Sequence, residues 1–293
     1  GPFADFNLSD QEMYELKIAA WLHDCGKVAT PEFVVDKSTK LETIYDRINE
    51  VETRFSVLKR DQEIKKLKKE LSIERDNSLN AKEKNEKFKF IKNEYQKSIK
   101  RLKNDLSFVK ESNIGGEFMS EDKKQRINDI SNYKWKPNGK MQNFLSENEV
   151  YNLTIPRGTL TPEERQVIND HIVVTINMLD ELPYPKHLKN IPEFAGGHHE
   201  KLDGTGYPKG LTKNEMSVQA RIMAIADIFE ALTARDRPYK KGKTLSQAMR
   251  ILGFMKDDAH IDVDLFDIFV KKKIYMKYAK GFLEPEQIDE VSI

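Results

Sequence analysis

The sequence predicts an all-α protein, on three observations. Strand-type alternation of apolar and polar residues is scarce, whereas apolar residues recur at helical spacing along most of the chain. From about residue 44 to 111 they recur at alternating intervals of four and three, the pattern of helices packed along their length. Capping boxes, a Ser or Thr with Glu three residues later, open two of the predicted helices.

The first helix is expected over residues 8–25, with Ser9 as its cap, Glu12 completing the box, and Tyr14, Ile18, Trp21 and Leu22 as the inward stripe. Gly26 would end it. Residues 30–43 read as a short element plus loop. In the next segment Ile44, Ile48, Val51, Phe55 and Leu58 form one stripe that Leu67 and Leu71 continue, and Phe88, Ile91, Tyr95, Ile99, Leu102, Leu106 and Val109 form another. Two long helices folded back on each other would bury both stripes. Residues 112–150 mix Gly, Asn and Pro with short helical pieces and read as a return connection. A helix over 162–182 follows, capped by Thr161 with Pro162 first and Glu164 closing the box, and stopped by Pro183 and Pro185. After a Gly- and Pro-rich loop through 192–210, helices are expected at about 217–235, 244–256 and 262–280. This divides the chain into one domain made of residues 1–43 and 155–293, and an inserted helical arm with its return connection over 44–154.

Composition narrows the function classes. The chain has 293 residues, 38% of them hydrophobic, enough for a sizeable core. A formal net charge of +1 gives no global field to recruit nucleic acid or an anionic membrane, so an anionic ligand must be attracted locally. Residues 44–111 hold 19 Lys and Arg against 13 Asp and Glu, but with no aromatic residues interleaved on the polar side they read as a solvated coiled-coil face, not a nucleic-acid surface. No apolar run is long enough to span a bilayer and no signal-peptide pattern is present. The single cysteine, Cys25, cannot form an intramolecular disulfide and suits a reducing compartment, so a cytoplasmic protein is expected. At its position Cys25 reads as a small buried apolar residue.

Chemistry concentrates at four places. "WLHDCGKVAT" sets His23 beside Asp24 at the end of the first helix, with Lys27 four residues after His23 as a cation suited to a phosphate. His171 lies on a helix face with Val167, Ile168, Val174, Thr175 and Met178, which points it inward. "GGHHEKLDGTGYP" places His198 and His199 side by side after a double glycine. Asp227 sits mid-helix among Met223, Ala224 and Ala231, where a carboxylate needs a cation or a metal. Four imidazoles and two carboxylates suit a pair of borderline first-row ions such as iron, manganese or zinc better than calcium or magnesium.

The series His23-Asp24-Cys25-Gly26-Lys27, His171, "HHEKLDGTGYP" over 198–208, Asp227 and "RPYK" over 237–240 resembles the HD-GYP family of phosphodiesterases. The His-Asp pair alone would indicate only the broader HD superfamily of metal-dependent phosphohydrolases. The resemblance covers about residues 8–43 and 155–285 and implies an HD-type helical bundle, with the arm as an insertion. It implies two divalent ions, iron or manganese first and zinc, nickel or magnesium otherwise, held by His23, Asp24, His171, His198, His199 and Asp227, with Asp24 bridging. The implied reaction is hydrolysis of cyclic di-GMP to the linear dinucleotide, and in some members on to GMP, by in-line attack of a metal-bridging hydroxide. Asp24 and Lys27 would be the catalytic residues. Lys27, Gly204, Gly206, Tyr207, Arg237 and Lys240 would meet the substrate, and Glu200 and Asp203 would support the histidines.

Members of the family usually carry a further metal-binding histidine upstream of the His-Asp pair. Only 22 residues precede His23 here and none is histidine, so part of the site and an upstream sensory domain are expected before residue 1. Alternatives carried forward are 3'3'-cyclic GMP-AMP as substrate, a generic HD phosphohydrolase, and a catalytically impaired module that binds a cyclic dinucleotide or a protein. A homodimer through the arm is a further expectation; contact with nucleic acid or membrane is not.

Overall fold

The computed structural model describes residues 2–235 and 242–291. In chain order the helices are α1 (Asp10–Leu22), α2 (Glu32–Val35), α3 (Ile48–Glu74), α4 (Ala81–Ile114), α5 (Glu121–Ser131), α6 (Glu147–Leu153) and α7 (Pro162–Asn169). They continue as α8 (His171–Asp180), α9 (Ile191–Gly196), α10 (Val218–Thr233), α11 (Leu245–Asp257), α12 (Val263–Lys271) and α13 (Ile274–Phe282). A short antiparallel ladder of β1 (Lys134–Trp135) and β2 (Gln142–Asn143) is the sheet among the described residues. The all-α class holds. Among the described residues no helix is long and apolar enough to cross a membrane.

The chain forms two compact units, Gly1–Glu32 with Gln166–Ile293, and Phe33–Arg165. In the first, α1 buries Ala19 with Ile18 and Leu22 packed beside it, against Leu179 of α8, Phe194 and Ala195 of α9, and Met223 of α10. Tyr14 and Trp21, expected on the inward stripe, are exposed at 52% and 71%. The face of α1 is centred on Glu15 and Ala19, and at 100° per residue both aromatics fall well to one side of it. Glu15 stays buried because its carboxylate accepts from the Asn190 N–H and side-chain amide at 2.6 and 3.2 Å. A second cluster in the same unit joins Ile225 and Phe229 of α10 to Leu245, Met249 and Leu252 of α11, Phe266 of α12 and Tyr275 of α13. The helix expected over 262–280 is two, broken at Lys273, whose φ is +50°.

In the second unit α3 and α4 form the expected hairpin. Val51, Phe55 and Leu58 pack with Leu102 and Val109, and the cluster extends to Ile127, Ile130, Phe144 and Leu153. Two details of the α3 stripe differ from expectation. Ile44 precedes the helix and is 93% exposed, and Leu67 and Leu71 face solvent at 53% and 50%. Nine residues separate Leu58 from Leu67, half a turn beyond two full turns, so Leu67 lies on the opposite side. The stretches 33–43 and 155–165, read from sequence as part of the first domain, belong to this unit. The Lys40 ammonium donates to the Leu153 and Ile155 carbonyls at 3.0 and 2.8 Å, and Lys37 donates to both Glu164 carboxylate oxygens at 2.8 Å.

The helix expected over 162–182 is two, α7 and α8, meeting at Asp170. The capping box at its start is formed: Glu164 N–H donates to Thr161 Oγ1 at 3.2 Å and Glu164 accepts from Thr161 N–H at 2.8 Å. On α8 the buried face is His171, Ile172, Thr175, Ile176 and Leu179, whereas Met178, and Val167 on α7, are exposed.

Candidate metal centre

Gly26 sets the geometry of the site. A Cβ there would stand 2.1 Å from the His171 carbonyl oxygen and 2.5 Å from the Thr175 nitrogen, so only glycine lets the turn after Asp24 lie against the first turn of α8. Its N–H donates to Thr175 Oγ1 at 2.9 Å. The glycine does not cap α1, which ends at Leu22 with His23 as C-cap; a 3-10 turn over Cys25–Ala29 follows. Cys25 is half-buried against the α1 core, in keeping with a packing role.

Three imidazoles are then oriented the same way. Nδ1 of His23 donates to the Ala20 carbonyl at 2.7 Å, Nδ1 of His198 to the Ala195 carbonyl at 2.6 Å, and Nδ1 of His171 to the Ile168 carbonyl. Each bond reaches back three residues and fixes the Nε2 lone pair toward the centre. Asp24 Oδ1 stands 3.1 Å from His171 Nε2 and 4.0 Å from His198 Nε2, and its Oδ2 stands 3.3 Å from His23 Nε2. His23 Nε2 also meets Asp227 Oδ1 at 3.4 Å, and His199 Nε2 lies 3.3 Å from His171 Nε2. Thus His23, Asp24, His171, His198, His199 and Asp227, from four separate segments of the first unit, surround one centre.

The donors form two overlapping groups, His171–His198–His199 and His23–Asp24–His198, with ligand atoms within 4.8 Å of one another in each. Donors bound to one first-row ion through bonds of about 2.1 Å stand roughly 3–3.5 Å apart, which matches the closest separations here. Asp24 Oδ1 and His198 Nε2 are buried without a hydrogen-bond partner. Such atoms are costly in a dry interior unless a cation meets them. The cluster is able to hold divalent metal.

Residues 147–265 match the family model described as HD domain. The chain is 38% identical over 107 residues to the 3'3'-cGAMP-specific phosphodiesterase 3 of Vibrio cholerae, covering 36% of this chain and 22% of that protein. It is 41% identical over 93 residues to the cyclic di-GMP phosphodiesterase of Thermotoga maritima, covering 32% and 25%, and 45% identical over 74 residues to one of Pseudomonas aeruginosa, covering 25% and 17%. These matches place an HD domain over residues 147–265 and support the resemblance to the HD-GYP phosphodiesterases. The chain spans a quarter or less of the length of these relatives.

In this site the carboxylates dominate the electrostatics. Burial pulls the His23 imidazole down, but hydrogen bonds to Asp227 and Asp24 outweigh it and push its pKa up to about 10. Burial would raise Asp24, yet His171, His23 and Lys27 hold it well below the usual carboxylate range. Asp227 is likewise lowered against its burial by His23. His198 and His199 are pushed down, first by burial. The Lys27 ammonium donates to Asp24 Oδ2 at 2.5 Å and is 45% exposed, beside the cluster and open to solvent.

The loop that follows His199 is braced by its own carboxylates. Glu200, 1% exposed, accepts from the Lys209 and Leu211 N–H groups at 2.7 and 2.8 Å. Asp203 accepts from Thr205 N–H and Oγ1–H at 2.9 and 2.7 Å. Neither reaches the histidines, contrary to the expected supporting role. Gly206 lies so close to the Glu200 backbone that a Cβ would stand 2.5 Å from its Cα, and Gly204 takes a φ of +78°. Tyr207 stacks on His199, ring centroids 4.9 Å apart at 18°. Arg237 and Lys240 lie outside the described residues. Sequence reasoning missed Thr175, whose hydroxyl holds Gly26, and the three carbonyls that aim the imidazoles. The His171 face did contain Thr175; the carbonyls leave no trace in side-chain identity.

Proposed function

We propose that this chain is the catalytic part of a metal-dependent phosphodiesterase that opens cyclic di-GMP to linear pGpG. The observation that carries this reading is the pair of donor groups sharing His198, with the unpartnered Asp24 Oδ1 between them. In this reading His23, Asp24, His171, His198, His199 and Asp227 would hold two divalent ions, iron or manganese. When bound, the ions supply Lewis acidity and a nucleophile at neutral pH.

The chain's own residues do the rest. Lys27 is within reach of Asp24 and of solvent, so its ammonium can turn from the carboxylate to a phosphate oxygen as substrate arrives. Tyr207, held flat on His199, offers an aromatic wall and a hydroxyl at the mouth of the cluster. Gly204 and Gly206 shape the loop that carries it. His198 and Asp24 Oδ1 are buried, while the side chains of His23 and Asp227 are each 24% exposed, so the centre has a dry side and a side open to substrate. Activity in the cell belongs to a longer cytoplasmic protein whose upstream sensory domain controls this unit.

A second reading, 3'3'-cyclic GMP-AMP as substrate, is favoured by the name of the Vibrio cholerae relative. Metal analysis beside hydrolysis assays with both cyclic dinucleotides, supplied with manganese or ferrous iron, tests both readings. About two metals per chain and a linear product, both lost in His198→Ala, are expected. A metal-loaded protein that turns over neither dinucleotide would overturn the proposal.

A further inference from the structure

α3 has two apolar faces, and the hairpin uses one. Val51, Phe55 and Leu58 pack toward α4. On the other side Val57, Ile64 and Leu71 recur every seven residues with Leu67 three after Ile64, and they are exposed at 36%, 49%, 50% and 53%. Intervals of three and four are those of a coiled-coil seam, with Val57, Ile64 and Leu71 at one core position (a) and Leu67 at the other (d).

The residues beside this seam say what covers it. Asp61, Lys68 and Arg75 flank it on one edge (e), and Glu63 and Glu70 on the other (g). When two such helices run parallel, each g residue faces the e residue five positions further along its partner. Glu63 then meets Lys68 of a second copy, and Glu70 meets Arg75, each pair occurring twice by symmetry. An antiparallel arrangement would instead set glutamate against glutamate. β-branched Val57 and Ile64 at a with Leu67 at d favour two strands. We propose that the outer face of α3 pairs in parallel with the same face of a second copy of this chain.

The seam runs from residue 57 to 75, about 28 Å of helix, with Arg60 and Glu74 at its remaining d positions. A free peptide of that length would pair poorly, but α4 already holds α3 helical, so association need not also order it. The competing occupant is a polyanion, because residues 58–103 hold sixteen Lys and Arg against eight Asp and Glu. Placing Glu63, Glu70 and Glu74 along the apolar seam works against an anion and for self-pairing.

Sedimentation of the whole chain over a range of concentrations tests this, with circular dichroism to establish that each variant keeps its helices. Wild type is expected to pass from one chain mass to two as concentration rises. The double variants Glu63→Lys with Glu70→Lys, and Lys68→Glu with Arg75→Glu, should each remain at one chain mass, and an equimolar mixture of the two should return to two. Leu67→Asp should also stay monomeric. Wild type that is monomeric throughout, or charge-reversed variants that each dimerise like wild type, overturns the proposal. So does a monomer that binds a DNA duplex through this face.

Discussion

Gly26 shows how one missing methyl group can position a metal site. Replacing it with alanine forces a carbon into the backbone of α8, and overpacking of this kind costs about 2 kcal/mol or more. Urea unfolding should register that loss for Gly26→Ala, with metal content falling alongside it. Gly116→Ala, where the added carbon would have no neighbour within 4 Å, should change neither. Glu200→Ala is expected to cost about 2–3 kcal/mol, since it strands two backbone N–H groups around a buried position, and to loosen Tyr207 from His199. Tyrosine fluorescence anisotropy and unfolding together would check this. The residues that converge here were legible because imidazole and carboxylate are unusual where the sequence puts them: beside a double glycine for His198 and His199, and among small apolar residues for Asp227. The carbonyls of Ala20, Ile168 and Ala195 were not, because every residue supplies the same carbonyl.

On the scale of an element, helical phase separates what the sequence could from what it could not convey. That α3 and α4 are long helices followed from composition and spacing alone. Which side of α3 faces α4 beyond Leu58 did not, since a stripe at intervals of four and three drifts slowly around a straight helix and can be joined to a neighbouring stripe by mistake. Leu58→Ala should cost about 3 kcal/mol, and Leu67→Ala, measured at dilute protein, less than about 0.5 kcal/mol. Equal losses would contradict the packing described. Lys40 provides an independent probe of the same unit. Burial, with Lys123 nearby, pushes its ammonium down to about 8, whereas an unfolded lysine titrates near 10.4. Between those values the unfolded chain binds more protons than the folded one, so stability should rise with pH, by roughly 2–3 kcal/mol from this group. Denaturation at pH 8 and pH 10 should show an increment that Lys40→Met lacks.

For the whole molecule the junctions decide what can be removed. Sequence composition marked the inserted region, because charged heptads contrast with Gly-rich loops. It could not mark the junctions, because Lys37 and Lys40 bind carbonyls and carboxylates more than a hundred residues away. A chain in which a short linker joins Glu32 to Gln166 should remain soluble and retain metal. One joined from residue 43 to residue 155 keeps Leu41 while deleting what buries it, and it should aggregate. Gel filtration and metal content distinguish these outcomes. The basic half of the α3–α4 hairpin also bears on how the molecule behaves in bulk. With sixteen Lys and Arg against eight acids in residues 58–103, the rest of the chain holds thirty-three against forty, so an isoelectric point of about 7.9 averages two oppositely charged regions. A cation exchanger senses the local patch, not the average. The protein should therefore bind such a resin above its isoelectric point, where its net charge is negative, and release at a salt concentration set by the hairpin alone.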